Sequence, residues 1–179
     1  YTTLFRSKDS IDKIHDAIKN PDVQEESPDN WEGNVLRKLD IDFEHDDLNL
    51  RGWVYDFERK QDTVLKLEAE EAWCVTDFRK AIQGKFGDVD VFFITEEPGC
   101  DVYVTNDRDG KFFPERFFVD TCINRNYESA YFEKSEDAFG FVKDLTDGKV
   151  ATNEDIERFN EDNADSDDFI YISEFHVID

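Results

Sequence analysis

A chain of 179 residues with 45 acidic against 21 basic side chains has a formal net charge of −24. A field of that sign repels phosphate backbones and anionic lipid surfaces, which excludes unassisted nucleic-acid binding and a peripheral membrane role, and it favours basic partners, divalent cations or plain solubility. Seventeen Phe, six Tyr and three Trp supply enough bulky material for one good core, which sets the chain apart from disordered acidic tails.

In chain order, "YTTLF" reads as a short strand. Ser7 or Asp9 is placed to cap a helix running to Lys19, with Ile11, Ile14 and Ile18 on one face at helical spacing. "NPDVQEESPDN" has two prolines and no periodicity, so it is a loop. "WEGNVLRKL" fits a short helix and "DIDFEHDDLNL" irregular chain. In "RGWVYDFE", Trp53, Tyr55 and Phe57 alternate with Val54, Asp56 and Glu58 at the two-residue period of a half-buried strand. "VLKLEAEEAW" answers it with Leu65, Leu67 and Ala69 inward and Lys66, Glu68 and Glu70 outward, completing a hairpin.

"TDFRKAIQGKF" predicts a helix capped by Thr76 or Asp77, with Phe78, Ala81, Ile82 and Phe86 buried. "VDVFFIT" is apolar on both faces and belongs inside a sheet. "CDVYVT" and "GKFF" read as a further hairpin, and "RFFVD" as another strand. "SAYFE" is a short strand, and "SEDAFGFVKDL" a helix capped by Ser135. "TNEDIERFNED" is a helix capped by Thr152 with Asp155 three residues on. An acidic linker then leads into a final strand within "ADSDDFIYISEFHVI".

Strand, helix, strand, strand, helix, strand over the first 95 residues is the split βαβ order of a ferredoxin-like sandwich. The fold expected is therefore α+β, an antiparallel sheet with two helices on one face, extra strands and a C-terminal α/β appendage. The ferredoxin-like domain takes residues 1–122, with an irregular insertion at about 20–50, and the appendage takes 123–179.

The stretch "EAEEAWCVTDFRKAIQGKFGDVDVFFITEEPGCDVY" puts Ala72-Trp73 at a strand end, closes a helix on "GKFGDVDV" and runs a strand into "EEPG" before a hairpin. In these features it resembles the YubB-type ferredoxin-like domain proteins of plasmids, phages and other mobile elements. "LRGWVYDFE" fits the aromatic-rich strand that family tends to carry. The likeness spans roughly residues 30–120 and leaves the C-terminal third uncovered. It implies the same fold and brings no activity, cofactor or catalytic residue. No iron–sulfur ligation follows from the fold label, because Cys74, Cys100 and Cys122 are three scattered thiols where a typical cluster needs four.

Those cysteines contain no C-x-x-C pair and lie far from the three histidines, so neither a metal cluster nor a disulfide framework is expected. No apolar run reaches a membrane span and no signal-peptide pattern opens the chain. A reducing cytoplasm is the default. The start at Tyr1 rather than Met suggests numbering that begins inside a longer gene product.

"TNDRDGKFFPERFF", aligned as a calcium loop with Gly110 at its sixth position, offers Thr105, Asp107 and Asp109, then Arg116 where the anchoring carboxylate belongs. It reads instead as a turn with a left-handed glycine between apolar strands. Glu70 and Glu71 close one strand, Glu96 and Glu97 another. If both strands end at one sheet edge, these acids could converge near Trp73 and hold a hard cation for hydrolysis, although neighbours on a strand face opposite ways. Cys74 before a helix reads as a structural thiol under Trp73, His15 as the rim of a packing face, and His176 as a strand residue without a triad. Trp53, Tyr55 and Phe57 could form a base-stacking platform, but acids stand where a basic frame is required, so the rings are assigned to the core.

The leading expectation is a cytoplasmic, non-catalytic binding module with no cofactor and no metal. Its acidic surface meets a basic protein partner through Asp56, Glu58, Glu68 and Glu70 of the hairpin and Asp165, Asp167 and Asp168 of the linker. One alternative is a nucleic-acid mimic, since alternate strand residues about 6.6–7 Å apart can echo phosphates about 3.4 Å apart. The other is a metal-dependent hydrolase using Glu70, Glu71, Glu96 and Glu97.

Overall fold

Ser7 opens the first helix as expected: its Oγ accepts from the Ser10 backbone N–H at 3.5 Å, and Ile11, Ile14, Ala17 and Ile18 are buried along the helix that follows. The computed structural model of the chain describes residues 1–24, 27–72 and 77–178. The expectations for Trp73, Cys74 and a Thr76 cap lie outside these residues. The chain divides into two compact units, Tyr1–Val102 and Tyr103–Asp179.

The first unit runs β1 (Thr2–Arg6), α1 (Lys8–Lys19), α2 (Glu32–Lys38), β2 (Gly52–Gln61), β3 (Val64–Glu71), α3 (Asp77–Lys85) and β4 (Val89–Glu97). Its four strands lie in the order β2-β3-β1-β4, and every neighbouring pair is antiparallel. Leu4, Val54, Leu65, Leu67, Val89 and Val91 from the sheet meet Ile11, Ile14, Phe78 and Ile82 from α1 and α3 in one core. Each such side chain contributes about 1.5–3 kcal/mol when fully buried.

Among its described residues the stretch at 20–50 has no strand, but it is less irregular than its composition suggests. Val35, Leu36, Leu39 and Phe43 enter the same core. Asn34 is fully buried and satisfied: its Nδ2 donates to the Pro28 carbonyl at 2.7 Å, and its Oδ1 accepts from Ser27 Oγ and Arg37 Nη1, both at 2.9 Å. Arg37 then lies over the Trp31 and Phe43 rings, 5.3 and 5.0 Å from their centroids.

One strand departs from its expected phase. Val54 pairs with Ala69 but Asp56 pairs with Glu68, so Tyr55 is an extra residue in a β-bulge. Val54 and Phe57 therefore face the helices, while Trp53 is 38% and Tyr55 61% exposed on the opposite face. The assignment of Trp53 and Tyr55 to the core is corrected: a two-residue period cannot be read through a bulge.

The second unit holds β5 (Val102–Thr105), β6 (Phe117–Ile123), β7 (Asn126–Phe132), α4 (Ser135–Leu145), α5 (Asn153–Asp162), β8 (Phe169–Glu174) and β9 (His176–Val177). The strands β7-β6-β8 form an antiparallel sheet, and β5 pairs with β9 in parallel. Val119 and Ile170 pack against Ala138, Val142 and Ile156 of the two helices. The boundary expected at residue 122 falls at the end of β6, whose partners β7 and β8 both follow it.

Three local expectations resolve differently here. Lys111–Phe113 form no strand. The N-cap of α4 is Lys134, without a side-chain bond, and Ser135 is the first helical residue. The final strand is interrupted at Phe175, whose N–H donates to the Arg116 carbonyl at 2.8 Å. Asn124 and Arg125, both at positive φ, make the tight turn of a β6–β7 hairpin. Thr152 caps α5 as expected, accepting from the Asp155 N–H at 3.2 Å while its hydroxyl donates to the Asp155 carboxylate at 2.9 Å.

Candidate functional site

The bulge at Tyr55 decides what the outer face of the β2–β3 hairpin presents. Trp53 lies opposite Glu70, Asp56 opposite Glu68 and Glu58 opposite Lys66, so these side chains share the face turned away from α1 and α3. Asp56, Glu58 and Glu70 are exposed and Glu68 is half-buried. Like charges directly opposite one another repel, so the Asp56–Glu68 pair costs stability that nothing local requires. Burial, then Glu68, Glu70 and Asp56 among other groups, hold the Tyr55 hydroxyl above its ordinary range. Two open rings ringed by carboxylates can take up a lysine or arginine side chain by charge and by cation–π contact. Lys66 and a Glu58–Lys60 ion pair temper the field at the far end of the hairpin.

The linker acids separate into two kinds. Asp165 and Asp167 are exposed. Asp168 is half-buried and already engaged: its carboxylate accepts from the N–H groups of Asn124 and Arg125 at 3.1 and 3.2 Å, closing the β6–β7 turn. Its charge is used inside the fold.

The four acids of the hydrolase reading are placed as follows. Strands β3 and β4 both run antiparallel to β1, so their C-terminal ends do reach one edge of the sheet. They are held apart by the intervening strand, about 9–10 Å at two strand spacings. Glu70 and Glu96 are exposed, and Glu71 turns inward. Glu97 accepts from the Cys100 thiol at 3.5 Å, and that bond raises the thiol's pKa. Among the described residues no group of three or more His, Cys, Asp or Glu could hold a metal ion.

The 105–118 stretch is a self-contained turn. Gly110, at φ +65°, closes a tight turn with its N–H on the Asp107 carbonyl at 3.1 Å. The buried Asp107 carboxylate accepts from the N–H groups of Lys111, Phe112 and Phe113 at 3.0, 2.6 and 2.9 Å. Arg116 donates to the carbonyls of Asp107, Phe113 and Glu115 at 2.7–2.8 Å. The carboxylate that would bind calcium is directed at backbone donors.

A constellation that sequence reasoning missed lies beneath the hairpin. Glu32, in the first turn of α2, is 1% exposed, and the Glu71 side chain is 5% exposed. Arg79 of α3 binds Glu71 through Nη2–Oε1 at 2.9 Å, donates from Nε to Thr2 Oγ1 at 3.0 Å and lies over the Phe93 ring at 4.4 Å. Glu32 fits because Gly52 has no side chain: a Cβ there would stand 2.5–2.6 Å from the Glu32 carboxyl. Burial, with the Glu71 charge next in weight, pushes Glu32 up to about 9; burial also raises Glu71, while Arg79 works against it. Gly52, the first residue of the aromatic strand β2, was the local signal, since a glycine in a strand often marks a close approach.

No protein-family model, curated protein or solved structure matches the chain. Among the described residues no helix is long and apolar enough to cross a membrane.

Proposed function

We propose that the protein is a non-catalytic binding module that engages a basic protein partner through the outer face of β2–β3. One observation carries the reading: Trp53 and Tyr55 stand open on the same face as Asp56, Glu68 and Glu70. A sheet face stabilised only for its own sake would gain by turning those rings inward and by placing a cation opposite Asp56. The strand order β2-β3-β1-β4, with α1 and α3 on one side, supports a ferredoxin-like first unit. The resemblance to YubB-type proteins supplies the setting, a cytoplasmic protein of a mobile element. The nucleic-acid mimic is the weaker alternative, because Lys66 and the bulge interrupt an even row of acids.

The test is capture of partners on immobilised protein at low and high salt, with the charge reversal Glu68→Lys and the truncation Tyr55→Ala alongside. A basic protein should be retained at low salt, released at high salt, and lost in both variants. Retention that ignores salt and both substitutions would overturn the reading.

A further inference from the structure

Two carboxyls, Glu32 from α2 and Glu71 from β3, meet one guanidinium, Arg79 from α3. Among the described residues, Glu32 Oε1 and Glu71 Oε2 have no hydrogen-bond donor, although both are buried. The two side chains stand within hydrogen-bonding reach of one another, a pairing that a shared proton satisfies, and an ion left uncompensated in such a place is costly. Other groups border the pair. The Gly52 N–H of β2 is turned toward the Glu32 carboxyl. Just before β1, the Tyr1 amine donates to the Ile94 carbonyl at 2.8 Å; burial, then Arg79, lowers its pKa, while Glu71, Glu68 and Glu96 work against that. An amide at that position in a longer chain would leave the count at two carboxyls to one guanidinium.

We propose that Glu32 and Glu71 share one buried proton, and that this proton latches α2 to the sheet, so that its loss releases α2 from the β2–β3–α3 corner. The residues held down with α2 border the binding face. The Asn30 carbonyl accepts from the Val54 N–H at 3.0 Å, and Trp31 bridges to Trp53. Release of the latch therefore frees the first residues of the edge strand β2. The latch does not depend on the binding role, and neither of the measurements below involves a partner.

The sign follows from linkage. The latched form keeps a proton that the released form gives up, so each rise of one pH unit between the ordinary carboxylate range and about 9 favours release up to tenfold. Hydrogen exchange of the α2 amides, corrected for intrinsic rates, should therefore lose protection about tenfold per pH unit between roughly pH 6 and 8. Glu32→Gln, which donates permanently, should hold that protection level. Infrared spectra provide an independent reading in the intact chain. A protonated glutamic-acid carbonyl band should be present at neutral pH, shift with carbon-13 glutamate, and survive Glu70→Gln. Protection that does not vary with pH in the unsubstituted chain, or no such band at neutral pH, would overturn the proposal, and the infrared reading stands even if Glu32→Gln fails to fold.

Discussion

Glu70 and Glu71 are neighbours on one strand and have opposite environments. Glu70 points to solvent across from Trp53, where water screens it and substitution is cheap. Glu71 points inward onto Arg79 and against a second buried carboxyl. The difference teaches that net charge says little about where charge matters in this molecule. Most of the acids dress the surface, and a few, Glu32, Glu71, Asp107 and Asp168 among them, are built into the structure.

That contrast can be broken most forcefully at Arg79. Arg79→Leu leaves Glu32 and Glu71 buried without a cation, and should cost about 3–5 kcal/mol in urea unfolding. A loss under 1 kcal/mol would mean that the corner is wetter than its burial indicates. Next comes the recess that admits Glu32. Gly52→Ala drives a methyl into the Glu32 carboxyl and should cost about 1–3 kcal/mol. The double substitution with Glu32→Ala should recover much of that loss, whereas strict additivity would separate the two sites. The smallest effect belongs to the outer member of the pair. Glu70→Gln should shift stability by no more than about 0.5 kcal/mol in either direction while weakening capture of a basic partner.

Local periodicity carried the reading of the fold a long way. The isoleucines of α1, the Leu65–Leu67 stripe of β3, the Phe78–Ile82 face of α3 and the Thr152 cap are all written within a few residues of where they act. What stayed illegible depends on register or on distant partners. The extra residue at Tyr55 reverses the phase of β2, and no alternation pattern can anticipate it. "GKFF" has the composition of a strand, yet the N–H groups of Lys111, Phe112 and Phe113 are taken by the Asp107 carboxylate. The acids of the candidate face were legible because outward charge on a strand is a local property. Glu32 was not: an acid in the first turn of a helix reads as a favourable partner for the helix dipole. Its burial becomes intelligible only when Gly52, Glu71 and Arg79 are brought beside it.

The extra residue in β2 has a consequence for self-association. A ten-residue strand at the border of a sheet, covered only at its start by Asn30 and Trp31, invites pairing with any passing copy of the chain, the geometry from which fibrils grow. The kink and added twist at Tyr55, together with mutually repelling acids along the rim, spoil a flat match between two such borders. Straightening the strand by deleting that tyrosine would remove the defence and leave concentrated solutions prone to gel.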